Sequence, residues 1–325
     1  MTRQEKRGLA DLRAMKRHQR TNAILAVKAK KKNRQNDDVR ADALVIGVGP
    51  GVCLIADGGE PRLCPTEFSV APGDHVAIRH ERVAAVGERR TTLCRTDPAN
   101  PHRERVVAAN IDVLAIVAAI VDPPFRSGLV DRYLIAAARG GIQPILCITK
   151  IDLADPARAA DLYRGAGVAV VCCSIADGRG IDELRGLLAG NLAVFAGHSG
   201  VGKSSLLNAL ASEEYARIGA VSESNGKGRH TTTSSRLYEL KNGARIIDTP
   251  GIRAFGLGAV TAEEVSAAFP EFAGYMCRFR DCRHREEPGC GVITAVEAGR
   301  IERQRYASYL RLTGEWRTGR SGQES

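Results

Sequence analysis

The pattern of apolar and polar positions changes character near residue 106. Before that point the apolar runs are short and separated by turns, as in Ala43–Val48 and Val52–Asp57 around a Gly-Pro-Gly turn. His75–Arg79 and Val83–Val86 follow in the same style. About five short strands in about fifty residues are typical of a small barrel. We therefore expect residues 40–97 to form an OB-like barrel, although an SH3-like barrel would produce much the same pattern.

Beyond residue 106, continuous apolar runs alternate with amphipathic segments. This alternation predicts an α/β fold with a parallel sheet covered by helices on both faces. The predicted strands are Val113–Val121, Ile145–Thr149, Val168–Cys173 and Leu192–Ala196, and the predicted helices are Leu129–Ala138, Pro156–Arg164, Ile181–Leu188 and Ser205–Leu210. Arg236–Leu240 and Arg245–Asp248, joined by Asn-Gly, predict a hairpin. From about residue 261 we expect a helical, arginine-rich region.

Composition narrows the class of protein. The 325 residues are 44% apolar and 26% charged, which is ordinary for a globular protein of two or three domains. The longest apolar run, Val113–Val121, is far shorter than the ~20 residues that span a bilayer, and the first residues lack an apolar run. Nine cysteines, mostly single among apolar residues, favour free thiols over disulfides. We expect a cytoplasmic protein without a membrane partner.

Positive charge is concentrated at the start of the chain. Residues 1–40 contain thirteen Lys or Arg and four Asp or Glu, so they hold nearly all of the net charge of +10. Such a segment is typical of an arm that binds polyanions, and a solvated tail without function is the alternative. After residue 40 only four lysines occur, at Lys150, Lys203, Lys227 and Lys241. Two of them stand in motifs where arginine is not equivalent.

The segment Gly197–Ser204 reads GHSGVGKS and matches the phosphate-binding pattern G-x-x-x-x-G-K-[ST]. It follows a predicted strand and opens a predicted helix, which is the context that this motif requires. Glycines let backbone N–H groups surround phosphate oxygens at the positive end of the helix. We expect Lys203 to bridge the β- and γ-phosphates and the Ser204 hydroxyl to bind Mg²⁺.

Two further segments would complete a phosphate and metal site. The sequence DTPG at 248–251 ends the predicted hairpin, where Asp248 would hold Mg²⁺ through water and the Gly251 amide would reach the γ-phosphate. Residues 222–235 include GKGRHTTTSS, a composition typical of a mobile loop. We expect Thr232, rather than either neighbouring threonine, to complete the Mg²⁺ coordination.

A guanine-recognition motif lies earlier in the chain. Residues 149–152, TKID, resemble the pattern N/T-K-x-D at the end of a predicted strand. The Asp152 carboxylate can accept hydrogen bonds from guanine N1–H and its 2-amino group, and the Lys150 stem can cover the base. Thr149 stands where Asn is commoner, and we expect loss of that amide to weaken the link to the phosphate-binding loop. Ser174, at the next strand end, loosely fits the loop that backs the base.

The order of these motifs is unusual. In ordinary GTPases the phosphate-binding loop comes first, whereas here it follows the guanine motif and DTPG comes last. A circular permutation accounts for this order. A permuted parallel sheet can still bring every loop to the carboxyl edge of its strands, where ligands bind.

Four candidate metal ligands lie near the C-terminus. Cys277, Cys282, His284 and Cys290 follow the spacing C-x4-C-x-H-x5-C. Three thiolates and one imidazole suit tetrahedral Zn²⁺ with no open position. We therefore expect one structural zinc ion.

In this combination and order, TKID, GHSGVGKSS, GRHTTT, DTPG followed by IRAFGL, and the Cys/His spacing resemble the RsgA (YjeQ) family of small-ribosomal-subunit biogenesis GTPases. The resemblance covers about residues 40 to 312. It implies an OB domain, a permuted GTPase domain and a C-terminal zinc domain. It also implies binding to the small ribosomal subunit late in assembly, with GTP hydrolysis stimulated by the subunit and linked to release.

Motifs and resemblance together give a full set of expected sites and domains. GTP contacts are expected at Thr149, Lys150, Asp152, Ser174, Gly197, His198, Ser199, Gly200, Val201, Gly202, Lys203, Ser204, Ser205, Asp248 and Gly251. Zinc ligands are expected at Cys277, Cys282, His284 and Cys290, and Mg²⁺ ligands at Ser204 and Thr232. The expected division is a basic extension at 1–39, the barrel at 40–97, the GTPase domain at 98–260 and a zinc-binding helical domain at 261–325.

The catalytic assignment follows from a missing side chain. Ile252 follows DTPG where many GTPases carry a glutamine that orients water. His230, beside the switch threonines, matches the residue proposed in this family to orient that water or accept its proton, and an imidazole can do so near pH 7. We expect His230, Thr232 and Lys203 to be catalytic. We also expect slow hydrolysis until the ribosome orders residues 222–235.

Three other functions compete with this interpretation. A permuted GTPase acting on the large subunit is disfavoured by the N-terminal barrel and C-terminal zinc cluster. A non-catalytic RNA-binding assembly factor is disfavoured by the retained Lys203, Ser204, Thr232 and Asp248. The exclusion of an ATPase or a small-molecule kinase depends entirely on TKID being a guanine-recognition motif. The expected partners are the small subunit with its rRNA and proteins and GTP or GDP, bound by a monomer.

Overall fold

The structure, a computed structural model, describes residues 43–97, 100–211, 215–220, 236–248 and 260–318. The strands are β1 (Ala43–Gly49), β2 (Val52–Ala56), β3 (Arg62–Pro65), β4 (His75–Arg79), β5 (Arg82–Val86), β6 (Thr92–Asp97), β7 (Asn100–Ala109), β8 (Val113–Ala119), β9 (Gln143–Thr149), β10 (Ala169–Cys172), β11 (Leu192–Ala196), β12 (Tyr215–Ala220), β13 (Arg236–Leu240) and β14 (Arg245–Asp248). The helices are α1 (Ser127–Gly140), α2 (Ala157–Arg164), α3 (Ile181–Leu188), α4 (Lys203–Ala211), α5 (Ala262–Ala267), α6 (Gly291–Glu297) and α7 (Arg303–Thr318). Within these ranges, none of the helices has the length and apolar character needed to cross a bilayer.

The first five strands form an antiparallel sheet in the order β3-β2-β1-β4-β5. Its buried face carries Val45, Ile55 and Val76, which form a separate small core. Edge strand β3 approaches the turn before β5, since the Cys64 thiol lies 3.4 Å from the carbonyl oxygen of Glu81. The sequence pattern did not single out β3, because only one of its four residues is buried.

A two-stranded ribbon, β6 and β7, connects this sheet to the rest of the chain and runs across the expected boundary at residue 97. It packs closely on the first sheet: the Ala109 N–H donates to Pro72 O at 2.8 Å, and a Cβ on Gly73 would lie 1.8 Å from Ala109 O. Sequence reasoning did not predict this ribbon. The domain boundary at residue 97 stays a prediction.

The central sheet has seven strands in the order β10-β9-β8-β11-β14-β13-β12. The first five of these are mutually parallel, and the β13–β14 pair is the predicted hairpin. Along β8, Leu114 and Ile116 face a core shared with α1 and α2, whereas Ala115 and Val117 face a core shared with α3 and α4. The α/β architecture predicted from the sequence is therefore confirmed.

Observed bounds differ from predicted ones by a few residues. The helix predicted as Leu129–Ala138 extends over Ser127–Gly140 and ends at Gly141, whose φ of 67° lies in the left-handed region. The N–H of Gly141 donates back to Ala137 O and Ala138 O and closes the last turn.

The C-terminal residues form a small helical unit around three aromatic rings, Phe269, Phe272 and Tyr309, with centroids 5.0 to 5.4 Å apart. Thr261 and Glu264 form a capping box at the start of α5. The aromatic cluster belongs to the same continuous core as α1 and α2. The unit is thus packed on one face of the central sheet.

Candidate functional site

Loops at one edge of the central sheet bring together those predicted nucleotide-binding residues that the structure describes. Strand β9 ends at Thr149, paired with Ala119 of β8, and β11 ends at Ala196, paired with Ile116. On the other side of β11, Ile247 of β14 pairs with Val194, one residue before Asp248. Because these strands are parallel, their carboxyl ends meet at the same edge. The permuted order of motifs therefore still assembles one site.

The phosphate-binding loop, residues 197–204, turns sharply from β11 into α4. Gly197 has a φ of 150°, and a Cβ there would lie 2.2 Å from Val117 O. Lys203 folds its ammonium back over the loop, donating to Gly197 O at 2.7 Å and His198 O at 2.5 Å. Ser204 is exposed in the first turn of α4. The loop thus presents a cation and a hydroxyl at a helix N-terminus, where anions are stabilised.

Thr149 links the guanine motif directly to the phosphate-binding loop. Its hydroxyl donates to Val201 O at 2.6 Å, and the side chain is 2% exposed. The structure therefore shows a link between the two motifs that uses the threonine hydroxyl, and the expectation that this link is weaker than one made by Asn stays a prediction. A hydroxyl supplies one donor at the required place, and its burial shields the hydrogen bond from water.

The rest of the TKID turn is shaped by the backbone. Lys150 has a φ of 62°, uncommon for a residue with a side chain, and its ammonium donates to Asp122 O. Asp152 is exposed at the mouth of the site. The fully buried Ser174 donates its N–H to Arg179 O at 3.0 Å, which closes the loop expected to back the base.

A pair of residues beside the base loop was not singled out by sequence reasoning. Asp177 accepts from Arg179 Nε at 2.8 Å, and this hydrogen bond, with the backbone N–H of Arg179, lowers the pKa of Asp177 to about 2. The same hydrogen bond raises the pKa of Arg179, and the charge of Asp152 adds to the effect. The Arg179 guanidinium therefore lies near Asp152, the carboxylate predicted to read guanine. The only sequence feature that could have indicated this ion pair is the short spacing of Asp177 and Arg179 in the turn after Ser174.

Several predicted site residues lie outside the described residues. These are His230, Thr232 and Gly251, together with the rest of 222–235. The roles expected for them stay predictions.

The four predicted metal ligands converge in the C-terminal unit. The ligand atoms of Cys277, Cys282, His284 and Cys290 all lie within 4.8 Å of one another. His284 Nδ1 is 3.5 Å from Cys277 Sγ and 3.4 Å from Cys290 Sγ, and the two sulfurs are 3.8 Å apart. Tetrahedral Zn²⁺ with ordinary bond lengths would separate two sulfurs by about 3.8 Å and sulfur from nitrogen by about 3.5 Å. The separations among Cys277, His284 and Cys290 therefore match a zinc site, and Cys282 lies within 4.8 Å of all three.

Backbone donors around the cluster favour a thiolate. Burial raises the pKa of Cys277, but the N–H groups of Gly291 and Val292 outweigh it and leave the pKa below its ordinary value. Both donors lie in the first turn of α6, whose N-cap is Cys290. Burial raises the pKa of Cys282 to about 12, an effect that a bound cation would reverse.

Two tyrosines of α7 donate hydrogen bonds to the backbone of the segment that carries the Cys/His cluster. Tyr306 donates its hydroxyl to His284 O at 2.7 Å, and Tyr309 donates to Arg283 O at 3.0 Å. Glu287 also binds the loop, accepting from Arg283 N at 3.0 Å and Arg285 N at 2.8 Å. Sequence reasoning missed all three, because nothing in their spacing distinguishes them from ordinary helix and turn residues.

Comparison with known proteins agrees with this geometry. Residues 86–258 match the family model described as RsgA GTPase. A protein of Chlorobaculum parvum named small ribosomal subunit biogenesis GTPase RsgA is 42% identical over 81% of this chain and 85% of its own length. A Pseudomonas aeruginosa protein of the same name is 48% identical over 69% of this chain and 68% of its own length.

Solved structures agree as well. The structure of YjeQ from Thermotoga maritima superposes with a TM-score of 0.67 at 30% identity, covering 86% of this chain and 98% of that one. YloQ, described as a circularly permuted GTPase, gives a TM-score of 0.64 at 28% identity over 86% and 95% of the two chains. The chain therefore belongs to the RsgA GTPase family and is a circularly permuted GTP hydrolase.

Proposed function

We propose that this GTPase binds the small ribosomal subunit late in its assembly, and that the subunit stimulates its hydrolysis of GTP to GDP and phosphate. The observation that carries the proposal is the identity of 42% over most of both chains with a relative named for small ribosomal subunit biogenesis. The basic N-terminal segment and the arginine-rich C-terminal unit fit a partner rich in phosphate, such as rRNA. The protein acts as a monomer in the cytoplasm.

GTP would lie along the carboxyl edge of the central sheet. The phosphates would be held by residues 197–205, with Lys203 bridging the β- and γ-phosphates and Ser204 reaching Mg²⁺. Asp248, at the end of β14 beside the phosphate-binding loop, would hold the same ion through water. Mg²⁺ would neutralise charge that develops on the phosphate oxygens during hydrolysis.

The base would be read by the TKID turn. Asp152 accepts hydrogen bonds from guanine N1–H and the 2-amino group, the Lys150 stem covers the base, and Ser174 backs it. The buried hydrogen bond from Thr149 to Val201 O supports this proposal, because it couples the base-reading turn to the phosphate-binding loop.

Water activation would fall to His230, with Thr232 completing the Mg²⁺ coordination. A histidine titrates near neutral pH and can orient water or accept its proton. The test is turnover of His230→Ala with saturating small subunits. A loss of stimulation supports the role, and unchanged stimulated turnover would exclude it.

The Cys/His cluster would hold one structural Zn²⁺ through Cys277, Cys282, His284 and Cys290. The match between the measured ligand separations and tetrahedral zinc supports this. With four protein ligands no position is left for substrate, so the ion would stabilise the fold rather than take part in hydrolysis.

The N-terminal sheet would be an OB-like barrel. The contact between Cys64 of β3 and the turn that precedes β5 brings the two edges of the five-stranded sheet together, as a barrel requires. This surface would contact rRNA together with the C-terminal unit.

The deciding experiment measures GTP and ATP hydrolysis by the purified protein alone, with purified small subunits, and with large subunits. Strong stimulation of GTP turnover by small subunits only is the expected result. Equal stimulation by both subunits would point to non-specific RNA binding by the basic segment. Stimulation by large subunits only would favour the alternative partner, and GTP binding without hydrolysis would favour a non-catalytic assembly factor.

A matched variant tests the base assignment separately. Asp152→Asn replaces one acceptor oxygen by a donor, which cannot pair with guanine N1–H and 2-amino together. We expect its GDP affinity to fall by about 10- to 100-fold, with a gain for xanthosine diphosphate, whose 2-oxo group accepts a hydrogen bond. Asp155→Asn, an exposed change on the same loop, serves as the control. Equal loss in both variants would refute the assignment.

A further inference from the structure

A buried arginine joins the C-terminal unit to the central sheet. Arg305 of α7 is 2% exposed, and its guanidinium donates to Asp131 of α1. It also donates to Glu271 at 2.6 Å and to Ala268 O at 3.2 Å. Asp131 is only 1% exposed. Separating such a pair would leave a charge buried without a partner, which is strongly unfavourable. The pair therefore fixes α1 and α7 in one relative position.

Aromatic groups enclose this ion pair. The guanidinium carbon of Arg305 lies 4.2 Å from the ring centroid of Phe269 and 5.3 Å from that of Tyr163. Tyr163 of α2 donates its hydroxyl to Asp131 at 3.0 Å. Burial raises the pKa of Asp131, and the charge of Arg305 opposes that rise. Helices of the GTPase sheet and of the C-terminal unit thus share one buried polar centre.

The same helix α1 also contacts the phosphate-binding loop. Tyr133 stands two positions after Asp131, about 200° further around the helix axis, so the two side chains meet different neighbours. Burial raises the pKa of Tyr133 and the backbone of Gly197 opposes that rise, so the hydroxyl faces the start of the phosphate-binding loop, and the side chain is 1% exposed. Val130 and Tyr133 line one cavity together with His198 and Val201 of the loop. Gly197 itself lies against Val117 O, so the phosphate-binding loop lies between β8 and the cavity lined by α1.

At its other side, α7 holds the Cys/His cluster. Tyr306 is adjacent to Arg305 in sequence and donates to His284 O, while Tyr309 donates to Arg283 O. Contacts therefore connect the cluster through α7, Arg305 and Asp131 to α1, and Tyr133 of α1 faces the phosphate-binding loop.

We propose that Arg305 is a positioning residue for the phosphate-binding loop, acting through α1 and Tyr133, so that nucleotide binding and metal binding at the Cys/His cluster stabilise one another. The inference uses the nucleotide and zinc contacts proposed above but not the ribosomal partner. Linkage makes the effect reciprocal: whatever factor zinc adds to GDP affinity, GDP adds to zinc affinity.

The first test measures equilibrium affinity for a fluorescent GDP analogue on the full-length, zinc-loaded protein. We expect Tyr133→Phe and Arg305→Met each to weaken binding by about fivefold to tenfold. Their combination should weaken it little further, because both break the same connection. Arg300→Met is the matched control, since Arg300 packs over Tyr275 in the same unit, and it should stay within about twofold of the native protein. Unchanged affinity in both single variants, or effects that multiply in the double variant, would overturn the proposal.

The second test separates positioning from simple structural support. Zinc affinity is measured by competition with a chromogenic chelator, with and without saturating GDP. GDP should raise zinc affinity in the native protein by about fivefold or more and have no effect in Tyr133→Phe. A merely structural tyrosine would lower thermal stability without removing the GDP effect. If Arg305→Met does not fold, Tyr133→Phe decides alone. A GDP effect that persists in Tyr133→Phe, or is absent from the native protein, refutes the coupling.

Discussion

The nucleotide site and the Cys/His cluster are both built from loops, but different elements hold them. The nucleotide residues come from the ends of separate parallel strands, from Thr149 of β9 to Asp248 of β14. The four cluster residues fall within 277–290, where the only regular element that contributes a ligand position is the start of α6. One site rests on a sheet with a large core. The other packs through its cysteines against the edge of the same core, but its loop is otherwise held by two tyrosine hydroxyls, one glutamate and the ion it could bind.

This difference predicts opposite responses to mutation. Strand ends stay in place when one site residue is lost, so changes at the nucleotide site should alter chemistry and leave stability almost unchanged. Binding energy at a structural metal site is folding energy, so changes at the cluster should lower stability and leave chemistry nearly intact.

The largest effect is expected for Lys203→Ala. The ammonium lies over the phosphate-binding loop, and its loss should lower GTP hydrolysis by at least about 100-fold. Thermal unfolding should shift by less than about 2 °C, because the bonds of Lys203 to Gly197 O and His198 O lie within one partly exposed loop. Lys241→Ala, in the exposed hairpin turn between β13 and β14, is the control. Native turnover in Lys203→Ala would contradict the site.

Next comes removal of one cluster ligand. Cys282→Ser should reduce bound zinc, measured by metal analysis, well below one ion per chain and lower Tm by about 5 °C or more. Hydrolysis without ribosomes should change by no more than about tenfold. Cys94→Ser, a free thiol on β6, should keep both zinc and Tm. A Tm unaffected by loss of zinc would show that the cluster does not support the fold.

The same substitution, threonine to valine, can be made at the nucleotide site and in the C-terminal unit, so that the two regions are compared with an identical chemical change. Thr149→Val removes the bond that holds Val201 O to the TKID turn, so the phosphate-binding loop must be ordered by the ligand and GDP affinity should fall by about tenfold, with a lower Tm from the unpaired carbonyl as the exception to the general pattern. Thr149→Asn retains a donor and should stay within about threefold of native affinity. Thr313→Val removes the hydroxyl bond to Tyr309 O at 2.9 Å, and it should lower Tm without changing GDP affinity. Similar effects on GDP binding from both valine variants would contradict the comparison.

The smallest effect is expected at Glu287. Burial would raise its pKa, but N–H donors of Arg285 and Arg283 outweigh burial and lower the pKa to about 2. A depressed carboxyl pKa adds stability that is complete above the ordinary value near 4.5 and is lost as pH falls toward 2. Glu287→Gln should therefore lower Tm by less than about 3 °C at pH 7, with the difference disappearing near pH 2. Comparing the two proteins at each pH cancels protonation of the metal ligands, and a difference that grows in acid would contradict the assignment.

Structural features that depend on local sequence patterns were predicted, whereas features that depend on contacts between distant residues were not. Strands β8 and β11 and helices α3 and α4 follow from unbroken apolar runs and glycine-rich turns, because local pattern and burial agree there. The ribbon β6–β7 could not be predicted from the sequence. Its two strands are rich in polar residues, and neither has a run of alternating apolar residues long enough to indicate a strand. The motif residues were found because phosphate and metal chemistry restricts residue types.

What the sequence missed is contact between distant residues. The hydrogen bond from Thr149 to Val201 O is one example, because the residue type within a motif says nothing about the geometry of the loop that accepts the bond. Arg305 and Asp131 are separated by 174 positions, and neither spacing nor composition connects them. Buried polar pairs of this kind become visible only when the helices that carry them are packed.

The buried arginine also has a consequence for the order in which the molecule can form during synthesis. Strand β9 is made before the phosphate-binding loop, which follows β11, and Arg305 of α7 comes after both. Until then Asp131 has no cationic partner, and its helix must either stay loose or carry a protonated carboxyl. Non-local pairings of this range are formed late in folding. We therefore expect a chain released before residue 303 to be retained by chaperones or degraded, so that only completed copies compete for nucleotide.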